Sequence, residues 1–250
     1  MSTIQFLSDV HIECFDDDVN PLDFVTPCAD ILILAGDIGS LYRFQQLLKF
    51  LKSISLHFKA VLYVPGNHEW YKLPNYISLD MEELNIRLKT LENSIENLYV
   101  LNRSSVLIGD VCIAGCTLWT KPDCQVPPFI VRIHDVKTKE YENMHHKDLC
   151  YLQDMISYCS KKNIKLLVVT HHPPTYKVLD NTKRRKKYIS LYANHLDYLL
   201  SKDSVDMWIC GHVHTNFDFV TEQGCRVVSN QKGKTKDKVQ NFKKDFVLTL

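Results

Sequence analysis

Val61-Leu62-Tyr63-Val64-Pro65-Gly66-Asn67-His68-Glu69 is a short apolar run that stops abruptly in Gly-Asn-His-Glu. Four other stretches repeat this plan. Residues 4–8 lead into Asp9-Val10-His11, residues 31–35 into Gly36-Asp37, residues 166–170 into His171-His172-Pro173-Pro174, and residues 207–210 into Gly211-His212-Val213-His214. Short continuous apolar runs bounded by such breaks fit strands buried on both faces. Each run delivers Asp, Asn or His at its C-terminal end, where open α/β sheets place their ligands. One shared metal site explains all of these endings most economically.

Outward from these strands, residues 41–57 carry Leu41, Phe44, Leu47, Leu48 and Leu51 at helical spacing, and residues 79–93 repeat the pattern with Leu84, Leu88 and Leu91. The chain therefore begins by alternating strand and helix. Its middle changes character: residues 98–101 and 105–108 flank polar residues, and 111–116 follow Gly109-Asp110, a hairpin signal. A β-meander is expected there. A helix near 143–160, a strand at 166–170, a helix near 190–201, a strand at 206–210 and a terminal hairpin through 217–220, 225–229 and 245–250 complete the reading. Asp9 and His11, two apart, should point the same way if extended backbone carries on past residue 8. The acidic loop Glu13-Cys14-Phe15-Asp16-Asp17-Asp18 reads as a solvated turn rather than as a source of extra ligands. With no repeat of fixed period and no linker, residues 1–250 are expected to form a single domain.

At 250 residues and 45% hydrophobic content the chain can bury a full core. Lys plus Arg is 30 against 29 for Asp plus Glu, so no global field draws it to duplex nucleic acid or an acidic membrane surface. Any preference for a polyanion must be local. No apolar run approaches the ~18 residues of a membrane span, and the N-terminus has no basic and apolar leader. A soluble, cytoplasmic protein is expected. Nine cysteines include no CxxC pair. Cys112 and Cys116, evenly spaced on a strand, fit buried small hydrophobes better than a zinc half-site, and reduced thiols fit a reducing compartment.

Singly, these motifs are common; their joint order is not. Asp9-Val10-His11, Gly36-Asp37, Gly66-Asn67-His68-Glu69, His171 and Gly211-His212-Val213-His214 resemble the signature DxH, GD, GNH[E/D], H and GHxH of the calcineurin-like metallophosphoesterase superfamily. Thr117-Leu118-Trp119-Thr120 and Ser229-Asn230-Gln231-Lys232-Gly233 are similar to features of one bacterial-type branch, so the resemblance spans the chain. It implies an α/β fold, a four-layer α-β-β-α sandwich of two mixed sheets flanked by helices. It also implies two divalent metal ions, one held by Asp9, His11 and His214 and the other by Asn67, His171 and His212, with Asp37 bridging. His68 would protonate the leaving oxygen or stabilise charge on the phosphoryl group. Asp37 is also placed to orient His68.

The residue types fit that chemistry independently. Mixed imidazole and carboxylate donors suit Mn, Fe, Zn, Co or Ni better than Ca or Mg; manganese is the first expectation. Only two of the seven ligands are anionic, so a dinuclear cluster stays cationic and suited to a phosphate. Two such ions, about 3.5–4 Å apart, generate hydroxide at neutral pH and clamp the oxygens of an in-line displacement. Mono- and diesters remain equally open. The alternative is a non-catalytic phosphate-binding or protein-scaffold module on the same fold, which complete ligand retention and His68 argue against.

The expected partner is a phosphorylated small molecule or nucleotide. Lys183-Arg184-Arg185-Lys186-Lys187 follows the His171-His172-Pro173-Pro174 loop, and reads either as a solvated loop or as a clamp, through Arg184 and Arg185, for a substrate with more than one phosphate. His172 either shapes the pocket or hydrogen-bonds substrate. Glu69 either orients the site or is a structural partner. Trp70, Tyr71 and Trp119 are candidates for stacking on a base, Trp119 also for packing against the sheet.

Overall fold

The computed structural model describes residues 3–179 and 187–249. Its strands are β1 (Thr3–Leu7), β2 (Ile31–Ala35), β3 (Ala60–Val64), β4 (Leu98–Val100), β5 (Ser104–Ile108), β6 (Val111–Cys116), β7 (Lys165–Thr170), β8 (Met207–Ile209), β9 (Asp218–Val220), β10 (Arg226–Val228) and β11 (Val247–Thr249). The helices are α1 (Phe44–Ser55), α2 (Met81–Asn93) and α3 (Thr138–Lys162). One sheet runs β11-β1-β2-β3-β4 and the other β5-β6-β7-β8-β10-β9. Both are mixed. Strands β1 to β4 are parallel with β11 antiparallel at the edge, and β6, β7, β8 and β10 are parallel between antiparallel β5 and β9.

Strand alternation sorts the apolar residues into layers. Ile31, Ile33 and Ala35 of β2 join Ile113, Val169 and Ile209 of the other sheet in a core between the sheets. Leu32 and Leu34 face the opposite way, into a cluster with Leu47 and Leu51 of α1 and Leu84 and Leu88 of α2. On the far side, Ala114, Cys116 and Val168 pack with Leu152 of α3. The result is the α-β-β-α sandwich, and burial on both faces explains why its strands read as unbroken apolar runs. All nine cysteines are free, with Cys112 and Cys116 buried.

Three expectations are corrected. The middle of the chain is no meander: β4 pairs with β3 in the first sheet, while β5 and β6 form a hairpin in the second. Leu101 still bonds Tyr63 and Arg103 already bonds Gly115, so the chain changes sheets at Asn102. No α-helix forms at 190–201; short 3-10 turns stand at Ile189–Leu191 and Asp197–Leu199. There the amides of Asn194 and Leu196 donate to the carbonyls of Pro173 and Pro174 rather than to their own chain four residues back, so tertiary partners override helical propensity. The third concerns the C-terminus. β9 and β10 pair as expected, but β11 crosses over to β1, with Leu248 opposite Ile4.

Candidate metal centre

The polar ends of β1, β2, β3, β7 and β8 meet at one edge of the two sheets. The loops that carry them are tied to one another: Asp9 N donates to Gly36 O at 3.0 Å and His11 N to Asp37 O at 2.9 Å, while both Asp9 carboxylate oxygens accept His212 N at 3.0 and 3.1 Å. Strand parity does not aim Asp9 and His11. Both have left-handed backbone, φ 57° and 55°, as do Asp37 (52°), His212 (73°) and His214 (49°). Non-glycine residues in that region cost on the order of 1–3 kcal/mol each and cluster at functional sites. A Cβ on Gly36 would strike the His171 ring and one on Gly66 the Asp37 carboxylate, so both glycines permit this close approach.

The seven candidate ligands form two groups. In the first, His11 Nε2 lies 3.1 Å from His214 Nε2, and His214 Nε2 lies 3.3 Å from Asp9 Oδ1. In the second, Asn67 Oδ1 lies 2.9 Å from both His171 Nε2 and His212 Nδ1, and those nitrogens are 3.3 Å apart. Asp37 spans the groups, with Oδ2 3.6 Å from His11 Nε2 and Oδ1 3.3 Å from His171 Nε2. Imidazole nitrogens converging on each other and on carboxylate or amide oxygens suit a shared cation better than one another. Asp9, His11 and His214, and likewise Asp37, His171 and His212, present ligand atoms that all lie within 4.8 Å of one another.

Outer partners point the donor nitrogens inward. His171 Nδ1 is 3.0 Å from the Ala35 carbonyl, His11 Nδ1 is 2.9 Å from Glu13 Oε1, and His214 Nδ1 is 2.6 Å from Asp237 Oδ2. Glu69, fully buried, accepts from the amides of Gly66 (2.7 Å), Ile38 (2.8 Å), Asp37 (3.1 Å) and Gly39 (3.2 Å) and from Tyr63 Oη (2.8 Å). These bonds pin the Asp37 loop to Gly66. Burial pushes the Glu69 carboxyl up to about 8, against five donors that suit the carboxylate.

Burial opposes ionisation throughout, and neighbouring charge decides the outcome. Burial raises the Asp37 carboxyl, but the His171 and His68 charges hold it well below the usual carboxylate range. Burial likewise raises Asp9, and the hydrogen bond and charge of His214 bring it down. Burial lowers His171, yet Asp37 carries it up to about 9. Burial and then the His171 charge depress His172 to about 3. His212 falls well below its ordinary value, through burial first and then the charges of His172 and His171.

His68 stands at the more open side, with 15% of its side chain exposed against 2% for Asp37. Its backbone N donates to Asp37 Oδ1 at 2.8 Å and its Nδ1 is 3.1 Å from Glu13 Oε1. With His11 and Asp37 it forms a third possible metal-holding group. Burial lowers its pKa against the opposing pull of Asp37 and Glu13.

Glu13 corrects the reading of its loop as wholly solvated. The side chains of Asp17 and Asp18 are 85% and 84% exposed, whereas that of Glu13 is 4% exposed, and the hydrogen bonds of His11 and His68 overcome burial to hold it down at about 2. Trp70, Tyr71 and Trp119 are 2%, 6% and 3% exposed, so they are core residues and not stacking platforms; the Tyr71 ring lies 5.2 Å from His68 and Trp119 5.6 Å from His172. His172 is buried, with Nδ1 3.2 Å from Thr117 O and its ring 4.2 Å from that of His212. This burial supports shaping the pocket over direct reach to substrate. Arg184 and Arg185, with Lys183 and Lys186, lie outside the described residues. Sequence reasoning missed Glu13, Asp237 and Lys234, whose Nζ is 3.3 Å from His68 Nε2. Glu13 alone had a local signal, its place two residues after His11.

Residues 2–216 match the model of the family described as calcineurin-like phosphoesterase. Uncharacterized protein L509 of Acanthamoeba polyphaga mimivirus is 30% identical over 261 residues, covering 93% of this chain and 91% of that protein. Among solved structures, phosphopantetheinyl hydrolase from Mycobacterium tuberculosis superposes with a TM-score of 0.72 at 14% identity, over 94% of this chain and 90% of that one. A dimetal phosphatase from Danio rerio does so with a TM-score of 0.58 at 14% identity, over 91% and 86%. At such identities the structural likeness shows the fold. The match over most of the length, on a fold and donor clusters of this kind, places the chain in the calcineurin-like phosphoesterase family of metal-dependent phosphoric ester hydrolases.

Proposed function

We propose that this chain, folded as one domain, hydrolyses a phosphorylated small molecule or nucleotide, with Asp9, His11 and His214 holding one divalent ion, Asn67, His171 and His212 the other, and Asp37 between them. The observation that carries this reading is Asp37, whose two carboxylate oxygens face different donor groups. The imidazole-rich donor set suits manganese first, then Fe, Zn, Co or Ni. Bound there, two ions supply a nucleophile at neutral pH and draw charge from phosphoryl oxygens.

The protein's own groups do the rest. Glu13 holds His68 by Nδ1, leaving Nε2 to face the ester and give a proton or hydrogen bond to the leaving oxygen. Asp37 Oδ1, accepting the His68 amide, fixes the ring's distance from the centre. Arg184 and Arg185 are proposed as a clamp for further phosphates. Among the described residues no helix is long and apolar enough to cross a membrane, and free thiols suit the cytoplasm.

The test is hydrolysis of p-nitrophenyl phosphate and bis-p-nitrophenyl phosphate with Mn²⁺, with and without chelator. Chelator-sensitive turnover and two equivalents of bound metal are expected. Tight phosphate binding without turnover of either ester would favour the scaffold alternative.

A further inference from the structure

Lys234 is not an ordinary surface lysine. Its backbone N donates to Asp237 Oδ2 at 2.9 Å, and the same oxygen lies 2.6 Å from His214 Nδ1. Two residues earlier Lys232 N donates to Ser8 O at 3.0 Å, and Gln231 Oε1 accepts His214 N at 2.6 Å. Gly233, at φ +66°, turns the chain where a Cβ would strike Val239. The segment is thus fastened both to the end of β1 and to a candidate ligand, and this fastening delivers the Lys234 ammonium to 3.3 Å from His68 Nε2.

With Nδ1 donating to the Glu13 carboxylate, a neutral His68 ring presents Nε2 as an acceptor, and the Lys234 ammonium donates to it. Among the described residues the ammonium makes no ion pair, although it is partly buried beside a site rich in carboxylates. Asp9 and Glu13 Oε1 are engaged with His212, His214, His11 and His68, and Asp37 with His68 and His171, while the buried Glu13 Oε2 has no hydrogen-bond partner among the described residues. What remains is a fixed cation and a ring nitrogen side by side, with His68 Nδ1 already committed to Glu13. An ammonium at that spacing reaches an anionic oxygen that approaches Nε2.

We propose that Lys234 binds the reacting phosphate, its Nζ holding a phosphoryl oxygen next to the leaving oxygen that His68 Nε2 faces, and that this extra cation favours a phosphomonoester dianion over a diester monoanion. Coulomb attraction to a fixed cation scales with the charge of its partner, so the second negative charge of a monoester gains most. The proposal rests on the phosphoesterase reading and selects a substrate class within it.

The experiment compares wild type, Lys234→Met and Lys234→Arg, all loaded with Mn²⁺. Loss of a hydrogen bond to a charged group should lower kcat/KM for p-nitrophenyl phosphate by about 10- to 100-fold. Bis-p-nitrophenyl phosphate should suffer much less, and competitive inhibition by inorganic phosphate should weaken in parallel. Lys234→Arg should restore most of the monoester preference. In wild type, inorganic phosphate should also slow acetylation of Lys234 relative to Lys236 and Lys238, followed by peptide mass spectrometry. That readout needs no variant to fold. An unchanged monoester-to-diester ratio in Lys234→Met, or equal acetylation with and without phosphate, overturns the proposal. A wild type that binds no metal and cleaves neither ester removes the phosphoesterase reading itself, whereas an active wild type indifferent to Lys234 removes only this one.

Discussion

Removing Glu13 should split into two separately measurable losses, because one buried oxygen serves two histidines. Its Oε1 lies 2.9 Å from His11 Nδ1 and 3.1 Å from His68 Nδ1. The first contact orients a candidate ligand and the second a candidate acid. A hydrogen bond to a charged group contributes about 1.5–3 kcal/mol, or roughly 10- to 100-fold in an equilibrium or a rate. Glu13→Ala should therefore weaken metal binding by about that factor through His11, in line with the ~10–100-fold typical of partners behind metal ligands. At saturating metal, a second loss of similar size should remain in kcat through His68. Glu13→Gln keeps an acceptor and loses the charge, which about halves the strength of each bond; roughly 3- to 10-fold losses are expected. The assay is metal titration by calorimetry, followed by kcat at saturating Mn²⁺ for an alkyl phosphate and for p-nitrophenyl phosphate. The decisive comparison is a double variant. On a His68→Ala background, Glu13→Ala should lower metal affinity but cost no further rate at saturation. A full additional rate loss there would refute the claim that Glu13 acts on the reaction through His68.

His68→Ala alone should keep both ions and lose about 10²–10⁴ in rate, less for p-nitrophenol esters, whose leaving group needs little help; loss of metal would make His68 a ligand instead. Asp37→Ala should abolish activity and leave at most one ion by elemental analysis, and two ions retained would remove Asp37 from between them. Glu69→Ala leaves five buried donors facing a void and should destabilise the fold by on the order of 3–5 kcal/mol, seen as a melting temperature lower by about 10 °C; a shift under about 2 °C would show that water replaces the carboxylate. Neutralising Arg184 and Arg185 together should raise KM for polyphosphorylated substrates and spare small chromogenic esters, since contacts remote from phosphorus alter binding and not the chemical step. Equal KM across such a panel would leave the basic run an ordinary loop.

The parts legible in the sequence share one property: local pattern and tertiary role agree. Residues 31–35 are apolar throughout because both faces of β2 are covered. The motif residues could be collected because each ends a strand, and parallel strands bring their C-terminal ends to one edge. The misread parts are those where distant partners decide. Nothing within 190–201 announces that Asn194 and Leu196 bond the prolines of the β7 loop. Nothing in 98–108 marks the step from one sheet to the other at Asn102. Trp70 and Tyr71 look like recognition residues from their place beside His68, yet their burial was set by α2, α3 and the loop containing Val131 and Ile133.

The same distinction explains which site residues escaped notice. A metal ligand needs a particular donor at a particular strand end, so it leaves a motif. A residue that orients a ligand needs only to reach one nitrogen from whatever loop passes nearby. Glu13 reaches two rings from a loop whose next acids are exposed, and Asp237 reaches His214 across 23 residues of chain. Lys234 sits among Lys232, Lys236 and Lys238, and the anchoring of Gln231 and Lys232 to His214 and Ser8 sets its place beside His68. Specificity is expected to reside in such residues. On the proposal made above, the metal-binding motif serves the breaking of any phosphate ester, whereas the Lys234 charge beside His68 selects which phosphate is held.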